Sequence, residues 1–130
     1  MKNDESHYGS RMHESIFHQI GSEPVLDAAV DLFYEKVLAD ERIKQFFDGT
    51  DMPRLRETQK QFLMYALGGP TIYSGKELRQ THRHMDLTEQ HFEAVQKHFE
   101  DTLRELKIGN ELIEAFLSIT ASHHDDVLNL

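Results

Sequence analysis

Apolar residues recur at three- and four-residue steps along most of the chain, the spacing of one buried face of an α-helix. A short helix is expected over Met12 to Ile20, stopping at Gly21. Ser22 is a suitable cap for the next helix, with Pro24 in its first turn. Val25, Leu26, Ala29, Val30, Phe33, Val37 and Leu38 form the stripe of that helix. Asp40 to Phe47 reads as a short turn of helix ending at Asp48-Gly49. Asp51 and Pro53 open another helix, with Leu55, Phe62, Leu63 and Ala66 on one face, and Gly68-Gly69-Pro70 stops it. A structured loop is expected over residues 68–76, then a brief helix over Lys76 to His84. Thr88 can cap a long helix striped by Phe92, Val95, Phe99, Leu103 and Leu106, which Gly109 ends. The last helix starts near Asn110 and carries Leu112, Ile113, Phe116, Ile119 and Val127. No segment alternates like a strand, and no repeat is present. The expectation is an all-α chain, too uneven in helix length for a simple four-helix bundle. Residues 1–11 read as a polar lead-in and 12–130 as a single domain.

Three polar residues interrupt the stripes. Tyr34 adjoins Phe33 and neighbours Val30, Val37 and Leu38. Gln59 lies four residues after Leu55 and three before Phe62, and His82 lies four after Leu78 and three before Met85. A polar group buried without a partner costs about 1–3 kcal/mol. Each residue alone is explained by a private partner: a backbone carbonyl for Tyr34, a half-exposed helix edge for Gln59, an ordinary core hydrogen bond for His82. The three together point to a shared polar target inside the core. A His ligand on one side, with a hydroxyl and an amide on the other, suits a metal-bound diatomic ligand.

Composition narrows the field. The 130 residues allow one sizeable core, and 38% hydrophobic with 28% charged residues is the balance of an ordinary folded chain. No apolar run approaches the roughly 18 residues of a membrane span. The polar stretch Met1 to Ser10 does not resemble a secretion signal, so a cytoplasmic location is expected. A net charge of −9 argues against nucleic acid and anionic membranes as partners. The absence of Cys excludes disulfides, thiolate metal sites and cysteine catalysis, whereas nine His make metal or haem chemistry worth testing.

Longer motifs then become legible. The run Phe33-Tyr34-Glu35-Lys36-Val37-Leu38-Ala39-Asp40, Phe46-Phe47, Gln59 with Phe62, and the Gly68-Gly69-Pro70 break come first. Tyr73-Ser74-Gly75, then Thr81-His82 ahead of His91-Phe92, complete the set. In this order and spacing the sequence resembles the group I truncated haemoglobins from about Ser15 to Asn129. The resemblance implies a two-over-two helical sandwich around haem b. His82 matches the proximal iron ligand and Phe47 a phenylalanine on the haem face. Tyr34 and Gln59 match the distal tyrosine and glutamine that bond to the ligand. Leu55 and Thr58 match further distal positions, Phe62 a residue lining an apolar tunnel, and Arg79 a basic residue within reach of a haem propionate. The implied ligands are dioxygen, nitric oxide and other diatomic molecules. The implied reaction is conversion of nitric oxide to nitrate with bound oxygen, served by an unidentified reductase, in a monomer.

Two departures carry expectations of their own. Where some members hold an iron-coordinating His or Lys, this chain has Thr58, so no endogenous sixth ligand is expected from that position. The tail His123-His124-Asp125-Asp126-Val127-Leu128-Asn129 resembles that of cyanobacterial members, in which the matching His can form a covalent bond to a haem vinyl group. His123 is thus a candidate for such a link, against a plain reading as a solvated His near a helix end. His91 and His98, seven residues apart on one helix, are expected on a shared solvated face, and His84 is expected to face outward. Three rival readings stand beside the haem enzyme. They are an oxygen store or sensor, a His/Asp metal-dependent hydrolase built on the His123–Asp126 run, and a helical module with no cofactor.

Overall fold

The structure is a computed structural model that describes residues 15–70, 82 and 87–128, and every regular element among them is helical. Helix α1 spans Ile16–Ile20, α2 Ser22–Leu38 and α3 Met52–Ala66, with a 3-10 turn at Lys44–Phe47 between the last two. Helix α4 spans Glu89–Glu105, α5 Asn110–Ala121 and α6 His124–Leu128. The polar lead-in, the start of the first expected helix and the expected helix over Lys76 to His84 lie outside the described residues. His82 is the exception, and its backbone is helical.

Local chemistry sets most boundaries. Asp51 caps α3 by accepting from the Arg54 N–H, with Pro53 in the first turn, and Thr88 caps α4 by accepting from the His91 N–H. Ser22 does not cap α2 as expected. It is the first helical residue, with φ 62°, and Gly21 precedes it with φ 121°. A Cβ at Gly21 would overlap the Val25 side chain, so only glycine makes this sharp corner between α1 and α2. Helix α4 stops at Glu105, one residue short of Leu106, and Gly109 starts α5 rather than ending α4.

The last expected helix is two. Ser122 Oγ reaches the Ile119 carbonyl at 2.5 Å and His123 Nδ1 reaches it at 3.0 Å. The His123 N–H turns instead to the Thr120 carbonyl at 3.2 Å. Side chains thus take the acceptor that a continuing helix needs, and Val127 falls in α6.

Helix α2 packs on both α3 and α4, α4 packs on α5, α1 lies against α2 and α5, and α6 lies against α4. Phe33 stacks on Phe99 with ring centroids 4.2 Å apart, and Phe99 meets Phe116 at 5.3 Å, so one aromatic column joins α2, α4 and α5. Leu26, Val37, Leu63, Leu103 and Ile113 complete the buried centre. At the far end of α3, the Phe17 N–H donates to the Leu67 carbonyl at 3.0 Å, docking α1. On the outside, Lys60 Nζ lies 2.6 Å from Glu23 and 3.0 Å from Asp27, tying α3 to the start of α2. No helix among the described residues is long and apolar enough to cross a membrane.

Candidate functional site

A cavity of about 310 Å³ opens between α2, the 3-10 turn, α3, α4 and the end of α5, at the lower end of the range for small-molecule sites. Its walls are mostly apolar. All three stripe exceptions line it: Tyr34 from α2, Gln59 from α3, and His82. Phe47, Leu55, Thr58 and Phe62 line it as well, and so does His123. Arg79 and His84 lie outside the described residues.

Each side chain reaches the cavity for a local reason. Phe33 is committed to the aromatic column, so the next residue of α2 points about 100° further round the helix. That residue is Tyr34, only 4% exposed, edge-on to Phe33 at 5.0 Å and to Phe47 at 6.0 Å. Its hydroxyl makes no hydrogen bond to another described residue. Burial pushes the phenol pKa well above the usual value, with a smaller opposing pull from the Arg56 guanidinium. Tyr34 therefore stays a protonated O–H donor across the physiological range.

Gln59 is half-buried one turn before Phe62, and its amide also makes no hydrogen bond to a described residue. Thr58 beside it is satisfied by its own helix, donating to the Arg54 carbonyl at 3.0 Å. His123 lies edge-on to Phe62 at 5.1 Å. Its Nδ1 sits 3.0 Å from the Ile119 carbonyl, a bond only an Nδ1–H can make, so the neutral ring keeps its lone pair on Nε2.

Two histidines depart from expectation. His91 lines the cavity, with Phe46 edge-on at 5.0 Å. His98 Nε2 lies 2.7 Å from Asp40 Oδ2, and both side chains are mostly buried, at 14% and 8% exposure. Seven residues do place both on one face of α4, but that face looks toward α2 and the cavity rather than solvent. Sequence reading also missed Gln96 and Thr120. Thr120 Oγ1 donates to Gln96 Oε1 at 2.8 Å, and Gln96 Nε2 donates to the Leu117 carbonyl at 3.1 Å. This pair forms a second polar spot on the cavity wall, satisfied within the protein. The available signal was Thr120, one turn after Phe116 on an otherwise apolar stripe.

Among the described residues no group of three His, Asp or Glu is arranged to hold an ion, and His123 and His124 turn to other partners. His123 turns to Ile119, and His124 spans Glu89 and Asp125 at the surface.

Known proteins agree with this geometry. A family model described as bacterial-like globin matches residues 15–129. The chain is a group 1 truncated globin of the bacterial-like globin family. It is 39% identical to the group 1 truncated hemoglobin of Tetrahymena pyriformis over 115 residues, 88% of this chain and 95% of that protein. It is 38% identical to the group 1 truncated hemoglobin GlbN of a Synechocystis species, covering 88% of this chain and 98% of that one. The crystal structure of the T. pyriformis protein in its Fe(III) form superposes with a TM-score of 0.84, covering 88% of this chain and 98% of that chain. A 2/2 hemoglobin from a Synechococcus species, solved with covalently attached heme, also gives 0.84 at 37% identity, covering 90% of this chain and all of that one. The truncated globin therefore has the two-over-two fold, and with its family it binds haem and diatomic ligands such as oxygen.

The residues present fit that group. A haem needs apolar walls, a ligand for its iron and a place for a polar ligand molecule. The cavity offers aromatic walls, an imidazole at His82, and a buried hydroxyl with no hydrogen-bond acceptor among the described residues. An unpaired buried donor costs about 1–3 kcal/mol, which a bound acceptor would remove.

The corner that carries Phe46 and Phe47 is braced by Asp40. Its carboxylate accepts from Arg42 Nη2 at 2.7 Å, Arg42 Nε at 3.0 Å and the Arg42 N–H at 2.9 Å, besides meeting His98. These bonds, Arg42 foremost, hold its pKa well below the usual carboxylate range. A lowered carboxylate pKa contributes stability above the unfolded value of about 3.9 and loses it as pH falls through the folded value. Asp40→Asn is therefore expected to be less stable than the parent at pH 7, with the gap narrowing as pH drops below about 4. Denaturant unfolding at several pH values reads this. A gap that stays constant with pH would remove the Asp40 bonds from the account.

Proposed function

We propose that the cavity holds haem b with His82 as the proximal iron ligand, and that the protein converts nitric oxide to nitrate using oxygen. One observation carries the reading: a buried Tyr34 O–H, unpartnered among the described residues, and the Gln59 amide share an apolar cavity with His82. Haem supplies the iron that binds the diatomic ligand.

The chain's own residues do the rest. Tyr34 keeps its proton and donates it in a hydrogen bond, and Gln59 offers an N–H beside it. Phe47, Leu55 and Phe62 keep the surroundings apolar, which strengthens any hydrogen bond made there. Thr58 holds its hydroxyl against its own helix and adds no ligand. A hydrogen bond to a charged acceptor is worth roughly 1.5–3 kcal/mol, which slows oxygen escape about ten- to a hundredfold. Slow escape favours reaction over transport. Arg79 is assigned to a haem propionate, turnover draws electrons from a reductase, and the protein acts as a cytoplasmic monomer.

His123 extends the proposal. With Nδ1–H engaged by Ile119, the Nε2 lone pair would be free to bond one carbon of a haem vinyl group as its C=C π bond opens, the other vinyl carbon taking a proton from water and the alkylated ring giving up its Nδ1 proton, as the covalently attached heme of the Synechococcus relative suggests. Haem is expected to stay with the parent protein in acid-organic solvent and to leave the His123→Ala variant. Free extraction from the parent would remove the link.

Stopped-flow kinetics test the distal roles. Tyr34→Phe and Gln59→Leu are each expected to raise the oxygen dissociation rate, Tyr34→Phe by about tenfold or more. Mixing the oxygenated protein with nitric oxide is expected to give one nitrate per haem. Unchanged dissociation rates would sink the distal assignment. Absence of nitrate would leave oxygen storage or sensing as the function.

A further inference from the structure

The first turn of α4 carries an imidazole that no role above uses. His91 Nδ1 accepts from the Thr88 N–H at 3.1 Å, while the His91 N–H donates to Thr88 Oγ1 at 3.3 Å. This reciprocal pair is a capping box with His in the place that Glu or Gln normally fills. Because Nδ1 accepts, the neutral ring carries its proton on Nε2. Nε2–H has no hydrogen-bond partner among the described residues, and the edge-on Phe46 ring holds the imidazole from the side. Two histidines on one cavity wall thus have opposite tautomers: His123 offers a lone pair and His91 a proton.

That tautomer limits what His91 can do. Iron ligation needs a lone pair, and the one on Nδ1 is already used by Thr88. The ring is left as a hydrogen-bond donor toward an acceptor in the cavity. His91 is half-buried, whereas Tyr34 is 4% exposed, so its acceptor lies nearer the solvent edge than a diatomic ligand held by Tyr34 does. Haem has acceptors of that kind only in its two carboxylates, which extend from one edge of an otherwise apolar disc. We infer that His91 Nε2–H donates to a haem propionate and so acts as a haem-retention residue, fixed in place by the Thr88 capping box. The inference rests on haem binding in this cavity.

Haem transfer to excess apomyoglobin tests it, using the full-length protein loaded with haem or with haem dimethyl ester, whose carboxylates carry no charge. His91→Gln is the variant of choice because Gln preserves the capping box while removing the imidazole. Circular dichroism of the loaded proteins checks that helicity is kept. The parent is expected to release haem about tenfold more slowly than His91→Gln, the effect of one hydrogen bond to a charged group. The two proteins are expected to release the diester at rates within about twofold, since the charged acceptor is gone. Equal haem release from parent and variant would overturn the inference, as would equal acceleration of haem and diester, which signals lost packing. A parent that takes up haem and gives either result leaves the haem reading intact. A parent that takes up no haem removes both.

Discussion

The stack of Phe33 on Phe99, with Phe116 tilted against Phe99, decides where everything else can lie. The column fixes the separation and rotation of α2, α4 and α5 at their crossing. With Phe33 locked into it, Tyr34 can only turn toward Phe47 and the cavity, and Val95 and Phe99 present the facing wall. A phenol at that position is buried by geometry rather than by preference. Its hydroxyl faces the cavity and meets no acceptor among the described residues, and the site takes its chemical character from that constraint.

Polar groups on the cavity wall divide into two kinds. Gln96, Thr120 and Thr58 are satisfied by the protein itself, so they shape the wall and ask nothing of a ligand. Tyr34, Gln59 and the Nε2–H of His91 have no such partner among the described residues. The three lie on α2, α3 and α4, around one apolar space of about 310 Å³. A molecule with polar atoms at separate points of an apolar body meets these requirements better than a small ion or a water cluster. The backbone sets the histidine tautomers, so a carbonyl at Ile119 and an amide at Thr88 decide which ring nitrogen is left to face a ligand.

Much of this was legible in the sequence because it rests on local rules. The caps at Asp51 and Thr88, the stripe of α2 and the interruptions at Tyr34, Gln59 and His82 are short-range patterns. Positions set by distant partners were harder to read. His98 meets Asp40 across 58 residues, and nothing near His98 signals that its face of α4 is covered. The capping box at Thr88 was readable only as a Thr cap, since His in place of Glu or Gln is an unusual partner. The break between α5 and α6 contains no Gly or Pro and arises from side chains competing for one carbonyl at Ile119. The start of α2 failed as a prediction for a different reason. Ser22 has the right chemistry for a cap, but a one-residue corner after α1 demands a backbone conformation that Gly21 supplies.

The central claim is that His82 binds haem iron in this cavity, and the absorption spectrum tests it most directly. Ferric and ferrous spectra would be recorded for the purified protein reconstituted with haem and for His82→Ala. The account predicts stoichiometric uptake with a sharp Soret band in the parent, lost or strongly altered in the variant. Failure of the parent to take up one haem, or a variant spectrum identical to the parent's, would contradict it.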